Sequence, residues 1–255
     1  MAAALPSSVT LFIPCLMDVF YPEAARDLVG LLKDLGLKVT YPQAQTCCGQ
    51  PAFNQGFIKK ARVLAERFLT LFDSAECIVC PSGSCTAMVR KHYPEIFSEE
   101  PEWLAKAQKT ASKIFEVSEF LIQFIPLEKL KASFPYTITY HDACHSNRVL
   151  GIFEQPRKLL ARVEGLTLIE MESSEACCGF GGLFSQKFPK LSEAIGLEKI
   201  RAIQKTGARW VVSNDPGCLM QIQRRLKEQK ISIGVKHLVE VLASNPIYEN
   251  TNRKI

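Results

Sequence analysis

Gln45-Thr46-Cys47-Cys48-Gly49-Gln50 and Glu175-Ala176-Cys177-Cys178-Gly179-Phe180 carry the same adjacent cysteine pair followed by glycine, once in each half of a 255-residue chain. Outward from each pair, the surroundings repeat. Cys15 ends the apolar run VTLFIPC (9–15), 32 residues before Cys47, and Cys144 ends YTITYHDAC (136–144), 33 residues before Cys177. Downstream, Cys85 closes PSGSC 37 residues after Cys48, and Cys218 closes NDPGC 40 residues after Cys178. Order and spacing agree in both halves, which marks an internal duplication.

The hydrophobic pattern repeats with the cysteines. In the first half it predicts strands at 9–14, 37–41 and 77–81 and helices at 22–35, 56–73 and 84–96. The second half predicts strands at 136–141, 166–171 and 209–213 and helices at 155–163, 187–206 and 217–229. A strand near 231–235 and a helix at 236–244 follow. Strands alternating with helices imply parallel pairing through helical crossovers. The expected fold is α/β: two pseudo-symmetric repeats, each a small, mostly parallel sheet flanked by helices. The expected division is a first cysteine-rich domain at 1–100, a helical connection at 101–135 without counterpart in the repeat, and a second cysteine-rich domain at 136–255.

Composition narrows the classes. The chain is 47% apolar and 22% charged, with a formal net charge of +5 spread along its length. Arg224, Arg225 and Lys227 form one of the densest basic groups and read as a solvated helix face, so nucleic acid is not an expected partner. No run reaches the ~20 apolar residues of a membrane-spanning helix. The first residues lack the charged n-region and cleavage site of a secretory signal. A cytoplasmic protein without direct membrane insertion is expected. Its ten cysteines are then reduced thiols rather than a disulfide framework.

Cys15, Cys47, Cys48 and Cys85, and again Cys144, Cys177, Cys178 and Cys218, follow predicted strands. Each set should therefore converge at the carboxyl edge of its sheet, where parallel α/β folds bind ligands. Gly49, Gly83, Gly179 and Gly217 let backbone N–H groups approach an inorganic core, as cofactor-binding residues would. Structural zinc usually takes two tight C-x2–4-C pairs, which the repeated cysteines lack. Adjacent cysteines more easily ligate different irons of one cluster, although a zinc-bound scaffold stays open as the alternative. Cys77 and Cys80 lie on a predicted strand, so their side chains point to opposite faces. Cys77 reads as a buried thiol, and Cys80 borders the first cysteine loop.

QTCCGQPAFNQG, CPSGSC, HDACHSNRVLG and EACCGFGGLFS resemble the CCG, or cysteine-rich-domain, family. Its members include the cysteine-rich subunit of heterodisulfide reductase, the glycolate oxidase iron–sulfur subunit and lactate utilization protein A. The resemblance covers essentially the whole chain, and a chain of this size with PSGSC is most similar to the lactate-utilization branch. It implies an iron–sulfur electron-transfer subunit in L-lactate oxidation to pyruvate, working beside a ferredoxin-type iron–sulfur subunit and a third subunit. With no flavin or nicotinamide fingerprint and no second electron carrier in the sequence, the chain is expected to be inactive alone. Glycolate, a heterodisulfide or succinate are the other substrates the family suggests. The family's final C-x-x-C departs here to Ser82-Gly83-Ser84-Cys85 and Asp215-Pro216-Gly217-Cys218. Four cysteines per half then suggest two [4Fe–4S] clusters rather than a five-cysteine noncubane type. Ser82 and Asp215 read as helix caps, with oxygen ligation the alternative.

The halves are unequal around their first cysteines. His141, Asp142, His145 and Arg148 surround Cys144, whereas Pro14, Leu16 and Asp18 surround Cys15. His141, His145 and Arg148 are therefore candidate catalytic residues, with Arg148 able to hold a carboxylate and a histidine able to move a proton. The second cluster would lie nearer the reactive end while the first relays electrons. The competing reading has His141 and Asp142 bonding the cysteine loop and the other two capping or pairing locally.

Overall fold

The computed structural model describes residues 5–244. Two four-stranded sheets, all of their pairings parallel, organise it. The first contains β1 (Ser8–Leu11), β2 (Lys38–Thr40), β3 (Ile78–Cys80) and β4 (Ile114–Glu116), in the order β2-β1-β3-β4. The second contains β5 (Thr137–Tyr140), β6 (Thr167–Leu168), β7 (Trp210–Ser213) and β8 (Gly234–His237), in the identical order β6-β5-β7-β8. The expected duplicated α/β fold is the fold observed.

The register makes the correspondence residue by residue. Leu11 pairs with Val79, and Tyr140 with Val212. Cys80 pairs with Glu116, and Ser213 with His237. Phe12 and His141, one residue further on, therefore hold matching places, as do Cys80 and Ser213.

A shared apolar core lies between the sheets. Val9, Leu11, Leu28, Leu32, Val79 and Phe120 from the first half meet Ile138, Tyr140, Leu159, Val212, Leu238 and Leu242 from the second. Because successive strand residues face opposite ways, Cys77 joins this core while Cys80 faces outward, as expected. On that outer face Phe12, Cys48, Phe68, Phe72, Ile78 and Tyr93 pack under the helix Ile58–Leu71. The second sheet's outer face packs Ala143, Cys178, Ile203, Val211, Cys218 and Ile222. Each outer core thus ends in the cysteines of its half.

Several expected elements fall elsewhere. Residues 101–135 hold the helices Pro101–Lys113 and Val117–Phe124, but between them lies β4, the first sheet's fourth strand and the counterpart of β8. Three residues between two helices are too few to show a period-2 pattern. The last strand is Gly234–His237 rather than 231–235, because its pairing to Trp210–Ser213 fixes the register. Cys15, expected to end the strand, opens a helix, Cys15–Phe20.

Candidate metal centres

In the first half the four cysteines gather beyond the carboxyl ends of β1, β2 and β3. Cys15 starts its helix directly after β1, and Cys47 and Cys48 occupy the loop between β2 and the helix Gln50–Phe53. Cys85 lies in the first turn after β3. Cys48 Sγ is 3.5 Å from Cys85 Sγ. Gln45 ties the loops together: its Oε1 accepts from Ile13 N at 2.8 Å, and its Nε2 donates to the Leu11 carbonyl at 3.3 Å. Gln50 Nε2 donates to the Ser84 carbonyl at 3.1 Å, and the buried Tyr93 hydroxyl donates to the Cys48 carbonyl at 2.9 Å. Sequence reasoning passed over Gln45 and Tyr93, since neither residue type announces a contact to a remote backbone group.

The glycine after each pair has a definite task. Gly49 and Gly179 adopt left-handed φ angles of 85° and 83°. In that conformation Gly49 N donates to Cys47 Sγ at 3.4 Å, and Gly179 N to Cys177 Sγ at 3.3 Å. A Cβ at Gly179 would also stand 2.5 Å from the Ser192 carbonyl oxygen. Only glycine satisfies both the backbone angle and the close helix.

Gly83 and Gly217 are placed differently. A Cβ on Gly83 would lie 1.8 Å from Ser146 Oγ of the other half, and one on Gly217 2.7 Å from the Phe180 ring. Both lie at helix N-termini whose caps are Ser82 and Asp215: Cys85 N donates to Ser82 Oγ, and Gly217 N to Asp215 Oδ1. The expected capping roles are the ones seen.

In the second half, donor atoms of His141, Cys178 and Cys218 all lie within 4.8 Å of one another, and all three residues are buried. Lys199 Nζ anchors the loop before the pair, donating to the Ser173 and Ser174 carbonyls at 2.9 and 3.1 Å. Cys144 Sγ lies 3.6 Å from His145 Nδ1. Arg148 donates to the Glu175 carbonyl at 3.3 Å, and its positive charge acts on Cys144 and Cys177. Asp142 does not bond the cysteine loop through its carboxylate. That group takes two hydrogen bonds from Arg157, at 3.0 and 2.8 Å, and Arg157 also reaches Glu170. Arg157 was missed because it lies on a separate helix. Neither His141 ring nitrogen has a partner within full hydrogen-bond geometry among the described residues.

Electrostatics set the two sites apart. Thiol hydrogen bonds from Cys15, then Cys48, hold the Cys47 pKa well below the thiol range, with help from Gly49 N–H. Its partners move the other way: Cys15 is raised by its bond to Cys47 and by burial, and Cys48 by Cys47 and Cys85. In the second set burial raises Cys144, while a bond to Cys178 and burial raise Cys177. Burial, with the nearby Lys199 charge, pushes His141 down to about 3. Crowded, desolvated thiols resist ionisation together unless a cation compensates them, and a bound metal reverses that balance. The soft sulfur donors, glycine N–H groups and buried neutral imidazole fit a metal or iron–sulfur group.

Each set also spans from surface to interior. Cys15 and Cys177 are exposed, whereas Cys48, Cys178 and Cys218 are buried.

A duplicated parallel sheet with a convergent thiol set at each carboxyl edge defines a metal-binding cysteine-rich protein. The chain belongs to the cysteine-rich domain (CCG) family, which matches residues 9–90 and 138–223. It is 43% identical over 235 residues to lactate utilization protein A 1 of Bacillus mycoides (strain KBAB4), covering 92% of this chain and 96% of that relative. Lactate utilization protein A of Halalkalibacterium halodurans is 44% identical over 234 residues, again covering 92% and 96%. Among solved structures, a hypothetical protein from Helicobacter pylori superposes with a TM-score of 0.69 at 12% identity. That match covers 93% of this chain and 48% of the larger protein, and it speaks to the fold alone. Among the described residues no helix is long and apolar enough to cross a membrane.

Proposed function

We propose that this chain is an iron–sulfur electron-transfer subunit that serves the oxidation of L-lactate to pyruvate. The observation that carries the reading is the convergence of four thiols in each half, from exposed Cys15 and Cys177 to buried Cys48 and Cys178. Cys15, Cys47, Cys48 and Cys85 would hold one [4Fe–4S] group, and Cys144, Cys177, Cys178 and Cys218 a second. Such groups supply reversible one-electron storage. The protein's share is to exclude water on the buried side, to donate Gly49 and Gly179 N–H groups to thiolate sulfur, and to leave an exposed edge for electron exchange.

The lactate assignment comes from the named relatives. The chain would receive or deliver its electrons through a ferredoxin-type iron–sulfur subunit and a third subunit of the same complex, in a reducing, cytoplasmic compartment. Arg148, half tied to the Glu175 carbonyl beside Cys177, is the cation best placed to meet a carboxylate at the second site. The test is anaerobic co-purification with these partners followed by electron paramagnetic resonance with and without L-lactate. Lactate-dependent reduction of a cluster signal supports the reading. A complex whose cluster signals ignore lactate but respond to glycolate or a thiol moves the substrate, and a zinc-loaded chain without sulfide removes the redox role.

A further inference from the structure

We infer that His141 is a direct ligand of the second centre, which makes the two centres of the chain chemically different. This rests on the proposed metal centre in the second half and changes its ligand set, the imidazole taking the place of one of its four thiolates.

Three observations converge on the imidazole. His141 is 1% exposed, and neither ring nitrogen has a partner within full hydrogen-bond geometry among the described residues, the Ser174 backbone being the one neutral polar group that acts on the ring. An unpaired buried imidazole is costly and rare in a folded protein. It shares a donor cluster with Cys178 and Cys218, all within 4.8 Å. Finally, its backbone is fixed: His141 N donates to the Val212 carbonyl at 2.8 Å, and Ser213 Oγ donates to the His141 carbonyl at 2.8 Å. The side chain is therefore held on the outer face of the second sheet, where the cysteines are.

The duplication supplies an internal control. The matching place in the first half is Phe12, which packs against Phe68 and Phe72 at centroid distances of 4.8 and 5.8 Å. An apolar ring there completes a core and ligates nothing. The same place in the second half brings an imidazole nitrogen near two thiols. Neutral imidazole in place of thiolate lowers the negative charge on an iron–sulfur centre and raises its reduction potential. The second centre is thus the more oxidising of the pair.

The experiment uses the full chain, isolated anaerobically with 15N-labelled histidine and carrying Cys48→Ser so that the second centre is seen alone. Pulsed electron paramagnetic resonance of the reduced centre should show the coupling of a bound imidazole nitrogen, changed by the isotope. His141→Phe, which copies the first half, should abolish that coupling and alter the spectrum while circular dichroism confirms folding. A fully loaded second centre without imidazole coupling overturns the inference even if the variant fails to fold. Iron and acid-labile sulfide are assayed on the same sample. If that assay finds zinc and no sulfide, the cluster reading fails by itself, and X-ray absorption at the zinc edge then decides on His141. One imidazole among the sulfurs upholds the ligand, and an all-sulfur shell refutes it.

Discussion

Ser82 and Asp215, each three residues before the last cysteine of its half, meet across the molecule: Ser82 Oγ donates to Asp215 Oδ2 at 3.1 Å. The same oxygen accepts Ser84 N at 2.9 Å, while Oδ1 accepts Gly217 N at 3.1 Å. One buried carboxylate therefore serves the N-termini of two helices, one from each repeat, and each helix carries a cysteine of a different centre. Negative charge is favoured where helix N-termini converge.

Asp215→Ala should accordingly disturb both centres. It removes three charge-assisted hydrogen bonds, and a loss of about 3 kcal/mol in unfolding free energy is expected. Urea unfolding of the metal-free chain measures it, and metal content should fall at both sites in the variant. A change within about 0.5 kcal/mol, the range of ordinary surface substitutions, would show that the bridge does not hold the halves together.

Gly83 is the closest point of the same contact. Its missing Cβ leaves room for Ser146, whose Oγ would lie 1.8 Å from an added methyl. Gly83→Ala should destabilise the chain by about 1–3 kcal/mol, the usual range for overpacking. Adding Ser146→Gly should recover much of that loss. Thermal unfolding of the single and double variants reads the coupling, and independent, additive effects would contradict the packing described.

Glu116 gives a pH signature. Burial at the end of β4 raises its carboxyl from 4.5 to about 7, against the lowering effect of its bonds from Ser118. The folded state thus binds this proton more tightly than the unfolded chain. Its contribution is complete below about pH 4.5 and is lost as pH rises through about 7, a decline of about 3 kcal/mol at most. Glu116→Gln should flatten this part of the stability–pH curve and leave the variant more stable than the parent at pH 8. An unchanged slope between pH 4.5 and 7 in denaturant titrations would assign the dependence to other groups.

Cys77 and Cys80 should differ from the eight repeated cysteines. Cys77 packs in the core between the sheets, and Cys80 directs its thiol to the Ser82 carbonyl at 3.6 Å. Cys77→Ala and Cys80→Ala should each retain full metal content, read by elemental analysis, at a stability cost of about 1 kcal/mol. Loss of metal from Cys80→Ala would make that thiol a fifth donor of the first site.

The duplicated parallel fold was legible because each cysteine is bound to a local pattern: an apolar strand before it, a helix after it. The convergence of Cys15 with Cys47, and of Cys48 with Cys85, followed from topology once the strands were placed. β4 was hidden because Ile114–Glu116 is three residues long, and its strand character comes from pairing with β3. Contacts between repeats, such as Asp215 with Ser84 or Gly83 with Ser146, leave no local trace. Asp142 does bond the loop before the second pair, through its N–H to the Ser174 carbonyl, but its carboxylate's partner Arg157 is chosen by packing and was not legible. His141 was visible as a candidate, but its register match to Phe12, which separates the two centres, appears only in the paired strands.

The most direct measurement is iron and acid-labile sulfide in the anaerobically purified chain and in its Cys48→Ser and Cys178→Ser variants. The account predicts a coloured parent containing both, with each variant losing about half of its iron and sulfide and the double variant nearly all, because each buried thiol serves its own centre. A colourless parent with stoichiometric zinc and no sulfide, or single variants that each empty neither or both sites, would contradict it.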